Sequence, residues 1–240
     1  MDGLTNRNKE LLAELEKRID YRFTDLRLLQ KAMIHSSFAF EQAHAGQDNQ
    51  VFEFIGDAVL DLVIGHLLSK RYPDMKEGEL TRFRASLVNE SNLADMARNL
   101  QIGSYLCLGK GEDSSNGREK SSILSCALEA LIGAVFEDSN YDTSAALVQR
   151  LFGESIEEKK EDLLLADAKS RLQELLQEKH NEAPVYRLEA EEGPSHRKRF
   201  SVVVLFQDQV LGMGTGGSKK EAEQRAAAAA LATAASLGNR

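Results

Sequence analysis

The sequence has few cysteines, no apolar run of membrane-spanning length and no excess of positive charge. Its two cysteines, Cys107 and Cys126, form no CxxC pair and no other paired spacing, which argues against a disulfide framework or a zinc site. The stretch MDGLTNRNKELLAELEKRI lacks the apolar core of a signal peptide, and no later apolar run is long enough to span a bilayer. We therefore expect a cytoplasmic protein in a reducing compartment, with no membrane partner.

The net charge of −8 argues at first against a nucleic acid as the partner. The distribution along the chain changes this conclusion, because the excess of acids lies before residue 160 and the remainder is close to neutral. In that remainder the basic residues cluster, as HRKR at 196–199 and as SKK at 218–220. Local basic clusters, rather than the net charge, decide whether a phosphate backbone can dock.

The first two thirds of the chain show helical periodicity and almost no strand alternation. The polar, Gly/Ser-rich segment GKGEDSSNGREK (109–120) interrupts this pattern and is predicted to be an exposed loop. The predicted helices are 5–18, 25–32, 50–72, 77–100, 120–138 and 141–157.

The pattern changes after EEKKEDLLLADA (157–168), whose charged half is typical of a linker or of a fraying helix end. RLQELLQEKH predicts a short amphipathic helix, and three strands follow in APVYRLEAEEG, KRFSVVVLFQ and QVLGMGTGG. A last helix is predicted in GSKKEAEQRAAAAALATAASL, with Ser218 at its N-cap. The order helix, three strands, helix predicts a compact α+β unit.

Acidic residues lie inside two strongly apolar predicted helices. VFEFIGDAVLDLVIG (51–65) contains Glu53 and Asp57, whose four-residue spacing places both carboxylates on one helix face. Like charges in such surroundings repel each other and lose hydration, which costs free energy unless a cation lies between them. Glu129 has similar neighbours in ILSCALEALIGAVF. The ordinary alternative for each acid is a partly exposed position at a helix edge.

The residues around these acids resemble the ribonuclease III family. NQVFEFIGDAVLDLVIG resembles its signature, which usually runs Asn-Glu-x-x-Glu-Phe-Leu-Gly-Asp. The stretches EGELTRFRASLVNESNLADMA (77–97), GKGE (109–112) and SSILSCALEALIGAVFEDS (121–139) are similar to that family as well. The second part of the chain resembles a double-stranded RNA-binding domain in DAKSRLQELLQ, GPSHRKRFSVVV and GSKKEAEQRAA.

Together the two resemblances cover nearly the whole chain and imply a multi-domain α and α+β fold. They imply an all-α ribonuclease III endonuclease domain at 1–157 and a linker at 158–166. An α-β-β-β-α double-stranded RNA-binding domain follows at 167–237.

The resemblance implies that Glu53, Asp57 and Glu129 are metal ligands, with Asp57 and Glu129 catalytic. Carboxylates suit Mg²⁺, for which Mn²⁺ can substitute. The chain departs from the family at two positions, with Gln50 in place of the usual Glu and Cys126 in place of the common Asp or Asn. Sulfur is a poor ligand for Mg²⁺, and a buried thiol more often acts as a small hydrophobe. We therefore expect weaker metal affinity, or activity that prefers Mn²⁺.

The resemblance also implies RNA-contacting residues in the second domain. Gln173 and Gln177 share a helix face, and their amides suit 2′-hydroxyls and base edges in a shallow minor groove. His196 lies in a turn that is placed to enter a second minor groove. Lys219 and Lys220 lie in the first turn of the last helix, where they oppose the helix dipole, so a phosphate to hold explains them better than helix stability. The ordinary alternative is that the Gln and Lys pairs are solvated surface residues without a binding role and that the His lies in the turn by chance.

The first functional hypothesis is the one that the resemblance implies: a Mg²⁺-dependent endoribonuclease specific for double-stranded RNA. Such enzymes work as homodimers, leave 5′-phosphate and 3′-hydroxyl ends, and process ribosomal RNA precursors and other structured transcripts. In such a dimer each of the two RNA strands would meet the site of one subunit. The apolar first half of 51–65 is a candidate for part of the dimer interface. The second hypothesis is a cleavage-impaired double-stranded RNA-binding protein, which Gln50 and Cys126 favour and the three retained acids oppose.

Overall fold

The computed structural model describes residues 6–42, 47–194 and 197–238. The chain divides into two compact units, Met1–Glu157 and Glu158–Arg240. In the described part of the first unit the regular structure is helical, apart from one isolated parallel bridge between Ile34 and Cys107. None of the described helices is both long and apolar enough to cross a membrane.

The helices that begin in the first unit follow one another with short connections. Four predicted helices, at 5–18, 25–32, 50–72 and 120–138, are confirmed with ends that differ by at most one residue. Two 3₁₀ turns, Ile102–Tyr105 and Gly117–Glu119, complete the unit. The helices are α1 (Asn6–Ile19), α2 (Leu26–Ala32), α3 (Ser36–Glu41), α4 (Gln50–Arg71), α5 (Glu77–Val88), α6 (Glu90–Asn99), α7 (Lys110–Ser114), α8 (Ser121–Asp138) and α9 (Tyr141–Ala166).

The prediction of one helix at 77–100 is wrong, because the helix breaks at Asn89. This residue has extended backbone angles, with φ −73° and ψ 156°. Its side-chain oxygen accepts a hydrogen bond from the backbone N–H of Asn92 at 3.0 Å. Asparagine is a favoured N-cap residue, so it ends one helix and starts the next within an otherwise continuous helical pattern.

The segment 109–120 is also more regular than the exposed loop that its composition predicts. It contains α7 and a 3₁₀ turn, and most of its residues are exposed. The Arg118 guanidinium donates to the carbonyl oxygens of Gly103 at 2.9 Å and Leu106 at 2.8 Å. Lys120 pairs with Glu112 at 2.5 Å. The charges that suggested a solvated loop therefore bind the segment to itself and to the preceding turn.

Helix α8 is the central helix of the first unit and packs closely against α4. A Cβ atom added at Gly56 of α4 would lie 1.8 Å from the carbonyl oxygen of Glu129, and one added at Gly133 of α8 would lie 2.1 Å from the carbonyl oxygen of Phe52. Only glycine permits so close an approach of two backbones. The crossing therefore fixes the position of α4 next to the segment of α8 that carries Glu129.

The segment 158–166, predicted as a linker, is helical. Helix α9 runs through it to Ala166, and Asp167 separates this helix from α10 (Ala168–His180). The sequence EKKEDLLLA consists mostly of residues with high helix propensity, which explains the continuation.

The second unit has the predicted order of helix, three strands and helix. After α10 come β1 (Val185–Glu192), β2 (Arg199–Phe206), β3 (Gln209–Gly216) and α11 (Lys219–Gly238), and the strands form an antiparallel sheet in the order β1-β2-β3. The hydroxyl of Ser218 accepts a hydrogen bond from the backbone N–H of Glu221 at 3.2 Å, which confirms the predicted N-cap.

One face of the sheet and the two helices enclose the core of the second unit. The core residues are apolar side chains of α10 and β2 and the alanines of α11: Leu172, Leu176, Val202, Val204, Phe206, Ala222, Ala226, Ala227 and Ala230. A Cβ at Gly214 of β3 would lie 2.3 Å from the backbone nitrogen of Ala226. The alanine run is therefore a flat helix face that packs directly on the sheet.

Replacing Gly56 with Ala is expected to destabilise the helical unit, because the added methyl group overlaps the backbone of α8. Overpacking of this kind lowers the free energy of unfolding by about 1–3 kcal/mol. Because the opposing atoms belong to rigid backbone, we expect a loss at or above the upper end of this range. Denaturant unfolding followed by circular dichroism measures the change.

The matched control is Gly153→Ala in α9, where an added Cβ meets nothing within 4 Å. Alanine is the better helix former by about 0.5–1 kcal/mol, so this variant should be slightly more stable. Equal stability changes in the two variants would contradict the close crossing of α4 and α8.

Candidate metal centre and RNA-binding surface

The crossing of α4 and α8 brings the predicted ligands of the two helices together. The Sγ atom of Cys126 and one carboxylate oxygen each of Glu53 and Glu129 all lie within 4.8 Å of one another. All three residues are partly buried. In the described part of the chain this group does not include Asp57, which is exposed. Asp57 is nevertheless close enough for its charge to act on Glu129.

Burial and neighbouring acids strongly disfavour the charged form of Glu129. Burial, which is the largest cause, and the negative charges of Asp57, Glu53 and Asp61 together raise the pKa of Glu129 to about 7. A divalent cation in the group would reverse both effects, since it neutralises the carboxylates and replaces their lost hydration. The electrostatics of the site therefore fit a bound metal ion.

Cys126 lies in the metal-capable group and not in the apolar core. It occupies the position one helical turn before Glu129 on α8, and its thiol donates a hydrogen bond to Glu53. Burial, the hydrogen bond to Glu53 and the charges of Glu53 and Glu129, in this order of size, raise the pKa of this thiol to about 12. Without a metal ion, the sulfur therefore carries its proton at neutral pH.

Gln50 and Asp61 lie at the two ends of the acidic face of α4. Gln50 is exposed at the first position of the helix, where its backbone N–H donates to Asp48 at 3.1 Å. Asp61 was not singled out in the sequence, although it continues the four-residue spacing of Glu53 and Asp57. Its carboxylate lies 3.8 Å from the Arg84 side chain, so its charge is partly balanced. The spacing alone would have identified it.

Of the residues predicted to contact RNA, four lie in the described part of the second unit. Gln173 and Gln177 are exposed on α10, next to Leu172 and Leu176, which face the core. His196 lies outside the described residues.

Lys219 and Lys220 are exposed in the first turn of α11. The Lys219 ammonium lies 5.9 Å from the ring centroid of Phe200.

The fold brings the two basic clusters of the sequence to the same place. Phe200 of β2 pairs with Gly216 of β3, so the residues before β2 lie beside the start of α11. A cavity of about 410 Å³ at this point is lined by Arg197, Lys198, Arg199, Thr215, Gly216, Gly217, Glu221 and Arg225. Arg225, which sequence reasoning missed, donates to the Thr215 carbonyl oxygen at 2.9 Å. The result is a concave basic surface at a helix N-terminus, which attracts anions.

In metal-free protein, Glu129→Gln is expected to stabilise the helical unit above pH 7 and to have little effect at about pH 5. The pKa of Glu129 rises on folding from its ordinary value of 4.5 to about 7, so stability falls as the pH rises through this window. The neutral amide avoids this loss, which is on the order of 2–3 kcal/mol when fully present. Urea unfolding at the two pH values measures it, and an equal gain at both would contradict the electrostatic origin.

Two family models match the chain: one described as ribonuclease-III-like over residues 25–156 and the double-stranded RNA binding motif over 168–233. The chain is 68% identical over 228 residues to the Ribonuclease 3 of Desulfotalea psychrophila, with 95% of each chain covered. It is 46% identical over 226 residues to that of Nitratidesulfovibrio vulgaris, covering 94% of this chain and 89% of the relative.

Among solved structures, the nuclease domain of the ribonuclease III of Campylobacter jejuni is similar, with a TM-score of 0.56 and 38% identity. The match covers 60% of this chain and 96% of that domain. Since the similarity extends over both units, the chain belongs to the ribonuclease III family.

Proposed function

We propose that this protein is a cytoplasmic, Mg²⁺-dependent endoribonuclease that hydrolyses double-stranded RNA to 5′-phosphate and 3′-hydroxyl ends. Ribosomal RNA precursors and other structured transcripts are its proposed substrates. The observation that carries the proposal is the convergence of Glu53 and Glu129 from two crossing helices, with donor atoms within 4.8 Å. Two carboxylates held on facing helices are the kind of hard oxygen site that suits Mg²⁺ or Mn²⁺.

The residues divide the chemistry between them. Glu53 and Glu129 would hold the divalent ion, which would supply an activated water and stabilise charge on the phosphate oxygens. Asp57, one turn after Glu53 and close enough for its charge to act on Glu129, would be the third ligand of this ion and, with Glu129, one of the two catalytic residues. Glycine at positions 56 and 133 keeps the two helices, and hence the carboxylates, in a fixed relation.

The second unit supplies the affinity for duplex RNA. Lys219 and Lys220 extend from the first turn of α11, where the backbone N–H groups also attract a phosphate. Gln173 and Gln177 present neutral amides that suit the 2′-hydroxyls of a minor groove. A domain of this type follows the shape of about 16 base pairs more than their sequence.

The active form in this proposal is a homodimer formed through an apolar stripe on α4. Val51, Phe54 and Leu62 lie along one helix face and are 57%, 77% and 59% exposed. Contiguous exposed apolar side chains of this size mark interaction surfaces. The nuclease domain from Campylobacter jejuni is described as having a region involved in dimer formation. Pairing through α4 brings two acidic groups into one assembly, one for each RNA strand.

Glu129→Gln is expected to lose at least about 100-fold in cleavage rate, because it removes a charged metal ligand worth several kcal/mol. Binding to the duplex should remain, since the second unit is unchanged. Fragment lengths from a long RNA duplex with Mg²⁺, together with a gel shift, measure both properties. Glu137→Gln, an exposed position in the same helix, is the matched control and should cut normally. Binding without fragments by the unaltered protein would instead identify a cleavage-impaired RNA-binding protein.

Replacing both Lys219 and Lys220 with Ala is expected to weaken duplex binding and to reduce its salt dependence. Each lost phosphate contact should lower the slope of log K against log salt by about one. The control is Arg187→Ala, whose position pairs with Val203 on the sheet face opposite the core. Fluorescence anisotropy at several salt concentrations measures the slopes. An unchanged slope in the double variant would exclude these lysines as phosphate contacts.

Phe54→Glu is expected to convert the dimer to a monomer, because it places a charge in the centre of the apolar stripe. Sedimentation velocity of the full chain measures the change in mass. Met213→Glu is the control, since Met213 is 61% exposed on the sheet of the second unit. A dimer that persists in Phe54→Glu would contradict an interface on α4.

A further inference from the structure

The metal-capable group of this chain contains sulfur, which distinguishes it from the all-oxygen sites that Mg²⁺ prefers. Cys126 contributes Sγ beside the carboxylates of Glu53 and Glu129. We propose that Cys126 makes this site selective for thiophilic divalent cations, so that Zn²⁺ or Cd²⁺ binds through its sulfur and displaces Mg²⁺. This inference rests on the proposed function in that it concerns the same site.

Ligand chemistry favours the softer ions. Thiolate strongly favours zinc and related ions, whereas Mg²⁺ requires oxygen ligands in a nearly octahedral arrangement and retains several waters. Compared with a carboxylate or amide at this position, Cys126 offers no oxygen ligand for Mg²⁺ and provides a sulfur ligand for Zn²⁺. Both the lost oxygen and the added sulfur shift the metal preference of the site from Mg²⁺ toward Zn²⁺.

The three donor atoms lie close enough together to serve as neighbouring ligands of one tetrahedral ion. Zinc–sulfur bonds of about 2.3 Å and zinc–oxygen bonds of about 2.1 Å place neighbouring ligands about 3.5 Å apart. The three donor atoms lie within 4.8 Å of one another, so modest rotations of the long glutamate side chains are sufficient. The close crossing at Gly56 and Gly133 holds the two backbones, which confines the adjustment to side chains. Three protein ligands leave the fourth position to water.

Binding is an exchange of a proton for a metal ion and involves no oxidation. The S–H bond of Cys126 breaks, a bond between sulfur and the divalent ion forms, and one proton leaves to the solvent. A coordinating thiol is deprotonated by the ion itself. In the metal-free protein Glu53 accepts the hydrogen bond from this thiol, so metal binding through sulfur would also replace that hydrogen bond.

The direct test is a titration of the full chain with Cd²⁺ alone, followed by ultraviolet absorption. A thiolate bound to Cd²⁺ gives a charge-transfer band that carboxylates do not give. The unaltered protein should show this band at one equivalent, and Cys126→Ser should lose it. Cys107→Ser is the matched control and should retain it, because Cys107 lies apart from the metal-capable group. No band in the unaltered protein, or an undiminished band in Cys126→Ser, would overturn the proposal.

A second readout compares inhibition of Mg²⁺-supported cleavage by Zn²⁺. Cys126→Asp, which restores an oxygen ligand, should need at least about tenfold more Zn²⁺ for half inhibition and less Mg²⁺ for half activation. Equal inhibition of both proteins would also overturn the proposal. The results distinguish the nuclease function from the thiophilic site. A Cd²⁺ band without any RNA cleavage would contradict only the nuclease function. RNA cleavage without the Cd²⁺ band would contradict only the thiophilic site.

Discussion

The direct contact of two helix backbones at Gly56 and Gly133 is the constraint on which the site depends. At this crossing any side chain larger than hydrogen overlaps a backbone atom of the opposing helix. The contact places Glu53 of α4 against Glu129 of α8, although the two residues are far apart in the chain. Without it, both acids would be ordinary partly exposed side chains on separate helices.

This arrangement is costly until a cation is present. Burial is the largest cause that raises the pKa of Glu129, and three neighbouring acids add to it. A fold optimised for stability alone would place an apolar or amide side chain there, so the acids are retained at the expense of stability. The same neighbours keep the thiol of Cys126 protonated. Sulfur and carboxylate oxygen differ in the metal ions that they prefer, so in the proposed site the residue at position 126 would influence which ion binds.

Much of this could be predicted from the sequence, and the failures have physical reasons. The helical periodicity around Glu53 and Glu129 predicted both helices, and their apolar neighbours predicted that the acids need a cation. The break at Asn89 was missed, because one capping side chain ends a helix without disturbing the apolar pattern. The grouping of Cys126 with the two glutamates was predicted only through the family resemblance, because its members lie on different helices and spacing along the chain alone does not reveal such sites. Arg225 of α11 was missed because the pairing of β2 with β3, which brings residues 197–199 beside the start of this helix, is not visible in the sequence.

The proposed function requires a divalent ion bound between α4 and α8, where it would neutralise the buried acids and support cleavage of the RNA backbone. Anomalous diffraction from crystals of the full chain grown with Mn²⁺ tests it most directly. An anomalous peak is expected in contact with the carboxylates of both Glu53 and Glu129. A peak that touches neither carboxylate, or no peak at saturating Mn²⁺, would contradict it.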